Sequence, residues 1–397
     1  MGDDGGSQAR DGTGGSRAGV AVTDHERRAR PPAIDAAALE AAGLYDPRAP
    51  NAAERLELLE WLASRGATID RMVRAARAGT LQALAGDLAL ETGPRYTVVE
   101  VAERTGLSPE QVEEVSRAFG LPLSPGRRLF TEEILETFRL FRGGVALFGE
   151  APLLRFFRIV GASLARMAEA GVSLFYVTVE GPMRRDGTTE RALAEASARA
   201  VDAIGAVQIM IQQVFRSHME EAIGRFRRLG MGRSVDTAHM TIGFVDLVGF
   251  TTLSAQLSAH ELAAMVEHFE ETAYDVVTAR GGRLVKLIGD EVMFVTLDAG
   301  AACDVGLALF ERFAGEQSVT PRGALATGDL VVRGGDYYGP VVNLASRVAE
   351  LAVPGELLIT PAVAGEAGVG RFRFEPAGRR MLKGFPEPVA LLTVERA

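Results

Sequence analysis

Two carboxylates in the C-terminal half of the chain have the setting of a metal site. Asp246 ends the apolar run Phe244-Val245, where a buried strand would finish, and Asp290 lies in Gly289-Asp290-Glu291 at the tip of the next predicted hairpin. Paired carboxylates suit Mg²⁺, which takes one or two of them together with substrate phosphates. Each aspartate alone is also an ordinary turn residue. The pair therefore predicts a metal site only together with the polar residues that follow it.

A lysine and a third aspartate follow at short spacings. Lys286 precedes Asp290 by four residues, and Asp336 lies in Gly335-Asp336-Tyr337-Tyr338-Gly339. A lone lysine on a strand is usually a solvated surface charge. However, Lys286 and Lys383 are the only lysines in a chain with 43 basic residues, nearly all of them arginine. Their positions are therefore informative.

Asn343 and Arg347 are four residues apart in Val341-Val342-Asn343-Leu344-Ala345-Ser346-Arg347. In a helix this spacing places both side chains on one face. Taken alone, such a pair is typical of a solvated helix face. The pair begins seven residues after Asp336, and this spacing favours a site that both motifs share.

With these motifs, the region from about residue 235 onward resembles a class III adenylyl cyclase, which converts ATP to 3′,5′-cyclic AMP and pyrophosphate. The resemblance implies that Asp246, Leu247 and Asp290 bind two Mg²⁺ or Mn²⁺ ions, which activate the ribose 3′-hydroxyl and hold the triphosphate. It implies that Lys286 donates to adenine N1 and Asp336 accepts from the N6 amino group. Guanine presents the opposite pattern, so ATP is the expected substrate.

The resemblance assigns the remaining motif residues to the ribose and the phosphates. Asn343 orients the ribose, Arg347 stabilises the charge of the pentavalent α-phosphate, and Lys383 lies near the β- and γ-phosphates. One position departs from the pattern, because Asp329 stands where some family members carry an arginine toward the phosphates. Binding of the terminal phosphates then depends more on Lys383 and the metal ions.

Family members build each site from two chains, because the metal aspartates and the base and transition-state residues of one chain point to different halves of the dimer interface. This chain carries both sets of residues. The resemblance therefore implies a symmetric homodimer with two shared sites and an inactive single chain.

Strands and helices alternate around these residues. The pattern predicts a strand over 240–245, an amphipathic helix over 259–280 and a hairpin over 283–297. The predicted buried side of the helix consists of Leu262, Val266, Phe269, Ala273 and Val276. The order resembles a ferredoxin-like α/β sandwich with added strands.

The region from Ala52 to about residue 228 reads as all-helical. Leu56, Leu59 and Leu62 recur at near-helical spacing before Gly66. Residues 96–138 have the sequence pattern of a helix-turn-helix, with a helix over 98–105, a turn at Gly106 and a second helix capped by Ser108. The second helix carries Glu110, Glu113 and Glu114, which would oppose DNA phosphates. A helical packing module is therefore favoured over a DNA reader.

This front half also resembles the regulatory domain of mycobacterial-type, pH-sensing cyclases. The resemblance rests on residues 53–56 and 59–62, on 115–121, and on Arg216-Ser217-His218-Met219-Glu220 near the junction. A long junction helix is predicted over 189–228. Its apolar face comprises Val201, Ile204, Val207, Ile211, Val214 and His218. Protonation of His218 would alter the packing of this face, although a histidine with a purely structural role is equally compatible with the pattern.

Composition narrows the choice of partners. A net charge of −9 opposes broad nucleic-acid or anionic-membrane binding. The single Cys303 and the absence of a signal-like N-terminus predict a cytoplasmic protein. The apolar region 145–179 is interrupted by charges, so we expect buried helix packing there and no transmembrane segment.

These observations predict a multi-domain chain with an all-α regulatory domain and an α/β catalytic domain. The expected parts are a disordered tail over 1–35, a helical domain over 36–228, a linker over 229–239 and a cyclase domain over 240–397. The predicted function is a homodimeric, Mg²⁺- or Mn²⁺-dependent adenylyl cyclase under control of its own N-terminal domain. The alternative is a transcription regulator whose cyclase-like domain only senses a nucleotide.

Overall fold

The computed structural model describes residues 35–91, 93–124, 126–228, 237–313, 319–368 and 370–397. Nearly all of the predicted tail and most of the predicted linker lie outside these residues. The chain divides into two compact units. The first comprises the described residues up to Leu147 together with Gly161–Ile209, and the second comprises Phe148–Val160 with Met210–Ala397.

The N-terminal half is almost entirely helical, as predicted. Its only strands form a two-stranded antiparallel sheet, within the part of this region that the structure describes. The elements are α1 (Ala36–Ala41), α2 (Ala52–Ser64), α3 (Ile69–Arg77), α4 (Leu84–Leu90), β1 (Arg95–Tyr96), α5 (Val98–Thr105), α6 (Pro109–Ala118), β2 (Phe130–Thr131), α7 (Glu132–Phe148), α8 (Glu150–Phe175), a π-helical turn (Tyr176–Glu180), α9 (Gly181–Arg185), α10 (Glu190–Asp202) and α11 (Ile204–Arg228).

The helix-turn-helix prediction is confirmed in detail. Thr97 caps α5 and Ser108 caps α6, each in a capping box with the residue three positions later. Gly106 ends α5 in the left-handed conformation (φ 73°), which only glycine adopts at little cost. Strands β1 and β2 pair antiparallel at the two ends of this segment.

Apolar residues of α2 and α10 share one buried core. Leu58, Leu59 and Leu62 are fully buried, and they cluster with Ala194 and Ala198. A charged contact supports the same pairing, because the Arg55 guanidinium lies 2.5 Å from a Glu190 carboxylate oxygen. The small alanines allow the two helices to approach closely.

Two expectations for the helical region are corrected. The predicted helix over 189–228 is divided at Ala203 into α10 and α11. The apolar region 145–179 is buried only in part: Leu153 and Leu154 are buried, but Leu147, Leu174 and Val177 are each more than 60% exposed. Helix α11 buries none of its residues. Hydrophobic periodicity predicts that a helix face needs a partner, but it does not say that the partner lies in the same chain.

The second half contains a mixed eight-stranded sheet. The elements are β3 (Thr237–Val248), α12 (Phe250–Ser254), α13 (Ala259–Ala279), β4 (Arg283–Ile288), β5 (Glu291–Thr296), α14 (Ala299–Phe313), β6 (Thr320–Arg333), β7 (Asp336–Tyr338), α15 (Pro340–Leu351), β8 (Leu357–Ile359), α16 (Pro361–Ala367), β9 (Phe372–Arg380) and β10 (Val389–Arg396). Strand β3 begins three residues before the predicted start, because the ladder with β6 extends to Thr237.

The sheet order confirms the ferredoxin-like prediction. The succession β3-α13-β4-β5-α14-β6 forms a sheet ordered β4-β5-β3-β6, which is the βαββαβ arrangement. Strand β8 joins parallel to β6, and β10 and β9 extend the sheet beyond it. The short β7 pairs with the far end of β6.

Both faces of the sheet are covered by apolar clusters. Val245, Phe269 of α13 and Val305 of α14 belong to one cluster. Phe244 and Val348 of α15 belong to the other. Strand β3 supplies residues to both clusters because successive side chains point to opposite faces. This central strand is buried along most of its length and ends at the candidate site.

Candidate active site

The two predicted metal aspartates lie together at one end of the sheet. Asp246 is opposite Glu291 in the last pair of the β3–β5 ladder. Asp290 occupies the two-residue turn between β4 and β5, next to Gly289, whose φ of 66° lies in the left-handed region. Asp290 directly precedes Glu291, so the strand pairing places it beside Asp246. Long-range strand pairing therefore brings together two residues that are 44 positions apart.

The carboxylates are crowded, and this changes their acidity. Burial raises the pKa of Asp290, and the charge of Asp246 raises it further. Burial, followed by the charges of Asp246 and Asp290, raises the pKa of Glu291 to about 7. Carboxylates crowded in this way repel one another, and a bound cation would relieve that repulsion. Glu291 was not singled out from the sequence, although it directly follows Asp290.

The residues present fit a divalent ion that takes few protein ligands. The described residues contain no group of three or more His, Cys, Asp or Glu side chains arranged around a metal. Mg²⁺ commonly uses one or two carboxylates and completes its shell with water and phosphates. Leu247 lies one residue beyond the last β3–β5 pair and could contribute only its backbone carbonyl. Asp246 and Asp290 would thus be the side chains that hold the ions.

An arginine that sequence reasoning missed contacts the metal carboxylate. Arg322 is opposite Asp246 in the β3–β6 ladder. Its Nε and Nη2 donate to Asp246 Oδ2 at 2.9 and 2.7 Å. Its Nη1 lies 3.4 Å from the Glu350 carbonyl oxygen near the end of α15. Only the strand register reveals this pairing, since 76 residues separate the partners.

The predicted base-recognition residues are in direct contact. Lys286 Nζ lies 2.7 Å from Asp336 Oδ2, which joins β4 to β7. Burial opposes ionisation of Asp336, but hydrogen bonds from Lys286 and the Tyr337 amide outweigh it and lower the pKa of Asp336. The ammonium of Lys286 and the carboxylate of Asp336 thus neutralise each other.

A second arginine fastens the hairpin that carries Asp336. Arg283, in the same strand as Lys286, donates to the Gly335 carbonyl at 3.1 Å and to the Tyr337 hydroxyl at 3.3 Å. Its guanidinium also lies over the Tyr337 ring, 5.8 Å from the centroid. These contacts fix the β6–β7 turn against β4.

The predicted ribose and phosphate residues line one cavity of about 440 Å³. Asn343 and Arg347 face it from α15, and Lys383 faces it from the loop between β9 and β10. Arg347 Nη1 lies 2.5 Å from the Glu350 carboxylate. Among the described residues that line this cavity, none is a metal aspartate. The predicted site residues therefore form three groups. These are the phosphate set (Asn343, Arg347 and Lys383), the base set (Lys286 and Asp336) and the metal set (Asp246 and Asp290).

Asp329 has a local partner that explains why an acid is accommodated there. Its carboxylate lies 3.1 Å from His239 Nδ1, and Glu366 lies 3.0 Å from His239 Nε2. The hydrogen bonds to Glu366 and Asp329 raise the pKa of His239. His218, the predicted regulatory residue, lies on α11 with its side chain 67% exposed and a Glu221 carboxylate 4.0 Å away. Its regulatory role stays a prediction.

Comparisons with known proteins found a family model, relatives and solved structures that are similar to this chain. Residues 38–223 match the family model of the adenylate cyclase regulatory domain. The adenylate cyclase of Streptomyces coelicolor is 33% identical over 68% of this chain and 71% of its own length. The pH-sensitive adenylate cyclase of Mycobacterium tuberculosis is 31% identical over 94% of this chain and 95% of its own. Among solved structures, the adenylyl cyclase CyaB of P. aeruginosa aligns with 41% of this chain and 97% of its own at 26% identity and a TM-score of 0.37.

A helical regulatory domain ahead of a ferredoxin-like catalytic domain with these motifs defines a class III nucleotidyl cyclase. The relatives narrow this class, and the chain belongs to the adenylate cyclase family. It is therefore an enzyme. In the part of the chain that the structure describes, no helix combines the length and apolarity needed to cross a membrane.

Proposed function

We propose that the protein converts ATP to 3′,5′-cyclic AMP and pyrophosphate at two sites, each shared by two copies of the chain. The contact between Lys286 and Asp336 carries the choice of substrate, because it pairs one cationic donor with one carboxylate acceptor. Adenine offers an acceptor at N1 and a donor at N6, so it satisfies both groups once they separate. Guanine would leave both unsatisfied, and unpaired buried polar groups are costly.

The chain's own residues would position the reacting groups. Asn343 holds the ribose so that its 3′-hydroxyl lies in line with the α-phosphorus, and Arg347 stabilises the charge that develops on the α-phosphate. Lys383, in the same cavity, neutralises the terminal phosphates. Asp246 and Asp290 would hold two divalent ions. When bound, these ions lower the pKa of the 3′-hydroxyl and neutralise the triphosphate.

The separation of the residue sets supports a shared site. Asn343, Arg347 and Lys383 line a cavity that neither Asp246 nor Asp290 lines, among the described residues around it. A second copy related by a twofold axis would place its aspartates over this cavity, and the reverse contact would complete the second site. The exposed apolar residues of α8 and α11 also suit burial against a second copy.

The N-terminal domain would control this assembly. The match to the adenylate cyclase regulatory domain supports control by this domain, and the similarity to the pH-sensitive adenylate cyclase of Mycobacterium tuberculosis supports control by acidity. His218 lies on α11, which directly precedes the catalytic domain. If α11 packs in the dimer, protonation of His218 would change that packing. Replacing His218 with alanine should then flatten the activity profile between pH 5 and 8, and an unchanged profile would remove His218 from the proposal.

The deciding experiment is product identification with the purified full-length protein. It is incubated with ATP and Mn²⁺, and separately with GTP and Mn²⁺, at several pH values between 5 and 8, and the products are separated by chromatography. We expect cyclic AMP from ATP and at most traces of cyclic GMP. A folded protein that makes no cyclic AMP at any of these pH values contradicts the proposal.

A further inference from the structure

Arg322 lies where a positive charge is needed as long as no metal ion is bound. Its guanidinium makes two contacts shorter than 3 Å to one oxygen of Asp246. The pair is well shielded, with side-chain exposures of 31% for Arg322 and 20% for Asp246. Asp246 is also one of the two side chains that would hold the metal ions.

The surroundings of this pair are strongly negative. The negative charge of Asp246 repels those of Asp290 and Glu291, and Glu350 also repels Glu291. Arg322 acts on both Asp290 and Glu291 with the opposite sign. Without the guanidinium, Asp246 would face this cluster with no positive partner that the structure shows. A group of like charges held this closely would repel and change position.

The guanidinium has a second contact available. Its Nη1 already lies 3.4 Å from the Glu350 carbonyl, in the last turn of α15. Carbonyl groups at the C-terminal end of a helix attract cations. Arg322 can therefore give up Asp246 and remain satisfied. The helix that would receive it is also the one that carries Asn343 and Arg347.

We propose that Arg322 is a positioning residue that holds Asp246 in the metal-free site and must release it when a divalent ion binds. The guanidinium acts as an internal counter-ion that competes with the metal. It keeps Asp246 in place before an ion binds, and it also weakens the affinity of the site for the ion. This inference rests on the metal site of the proposed function.

The simpler alternative is that Arg322 only joins β3 to β6 as a cross-strand ion pair. The two explanations predict different effects of removing Arg322 on the affinity for metal. A structural cross-link contributes equally with and without metal, so its loss lowers stability in both states and leaves metal affinity unchanged or weaker. A competing counter-ion stabilises only the metal-free state, so its loss strengthens metal binding.

The test is a Mn²⁺ titration of the full-length protein, in which electron paramagnetic resonance measures the free ion. The variants are Arg322→Gln, Arg322→Met and Asp246→Asn, with Arg379→Gln as the matched control. Arg379 is an exposed strand arginine that likewise donates to a backbone carbonyl, at Pro388. We expect Arg322→Gln to bind Mn²⁺ about threefold to tenfold more tightly, the size expected for releasing a partly buried ion pair. Arg379→Gln should match the wild type.

The outcomes separate this inference from the proposed function. If Asp246→Asn binds Mn²⁺ as the wild type does, the metal site itself is wrong. If Asp246→Asn loses binding while Arg322→Gln shows unchanged or weaker affinity, only the role of Arg322 is overturned. Should Arg322→Gln not fold, Arg322→Met decides, because it keeps a long side chain but removes the positive charge beside Asp246. Its affinity should then exceed that of the wild type, and an equal or lower affinity contradicts the inference.

Discussion

In the proposed function, base selection depends on one pair of side chains, Lys286 and Asp336. Lys286 and Asp336 contact each other at 2.7 Å across the β4 and β7 strands. Because both ions are partly exposed, the pair itself contributes little to folding. In the proposed function, the pair keeps one donor and one acceptor next to each other, and both become available to adenine when they separate.

Reversing the charge at this position should abolish ATP use. Lys286→Glu places a second carboxylate beside Asp336, so neither group can meet the acceptor at adenine N1. We expect kcat/KM for ATP to fall by about a hundredfold or more, because a site built to hydrogen-bond a substrate group strongly rejects a mismatch there. Steady-state kinetics with ATP and GTP check this. Lys286→Gln, which removes the charge without reversing it, should fall between the two proteins, and an unchanged value for Lys286→Glu contradicts the assignment.

His239 should make stability depend on pH. Hydrogen bonds to Glu366 from α16 and Asp329 from β6 raise its pKa in the folded state. The folded protein therefore holds this proton more tightly than the unfolded chain does. The stabilisation is fully present below the unfolded pKa of about 6.5 and is lost as pH rises through the higher folded value.

Replacing His239 with glutamine should remove that part of the pH dependence. Thermal unfolding measured between pH 5.5 and 8.5 should show a smaller loss of Tm on raising the pH than the wild type shows. His260→Gln is the control, because His260 is exposed on α13. If His239→Gln and the wild type have parallel profiles, the His239 contacts do not contribute to stability.

At the scale of elements, the close approach of α8 to the end of α6 depends on a glycine. A Cβ atom built at Gly161 would lie 2.5 Å from the Phe119 carbonyl oxygen and 2.6 Å from its carbonyl carbon. Backbone atoms cannot yield as a flexible side chain can. The helix-turn-helix segment is thus held against α8 at a distance that only glycine permits.

Two glycines of the same helix should respond in opposite directions. Gly161→Ala should destabilise the protein by about 1–3 kcal/mol, as overpacking does elsewhere. Gly171→Ala, with no atom within 4 Å of its added methyl group, should be neutral or gain up to about 1 kcal/mol from helix propensity. Urea unfolding followed by circular dichroism gives both values. Equal effects at the two positions would show that the α6–α8 contact is not tight.

At the scale of the whole molecule, the shared site predicts complementation between inactive variants. Asp290→Asn impairs metal binding, and Arg347→Ala removes the charge that stabilises the transition state. Each variant alone should therefore lose about a hundredfold or more of its activity. A heterodimer of the two variants has one intact site. Equal co-expression should therefore restore about a quarter of wild-type activity, since half of the dimers are mixed and each has one of two sites.

The control combines two variants that both alter the metal aspartates. Asp246→Asn with Asp290→Asn leaves a damaged metal set in both sites of the heterodimer, so no activity should return. Recovery in this control, or none in the first mixture despite proven heterodimers, would mean that the sites are not shared as proposed.

Local patterns were sufficient wherever the physical cause is local. The capping residues Thr97 and Ser108, the turn at Gly106 and the alternation of β3 each follow from neighbours a few positions away. The motif residues Asp246, Lys286, Asn343 and Arg347 were likewise singled out from type and spacing, and their roles stay predictions. Hydrophobic period also predicted the apolar side of α13, where Phe269, Ala273 and Val276 are buried.

Only the tertiary structure revealed what depends on register and on partners. Arg322 meets Asp246 because β6 pairs with β3 at one particular offset, and no local pattern encodes an offset between strands 76 residues apart. The exposure of α8 and α11 escaped prediction for a related reason. Periodicity shows that a face is apolar, but whether the same chain covers that face depends on the arrangement of all the other elements.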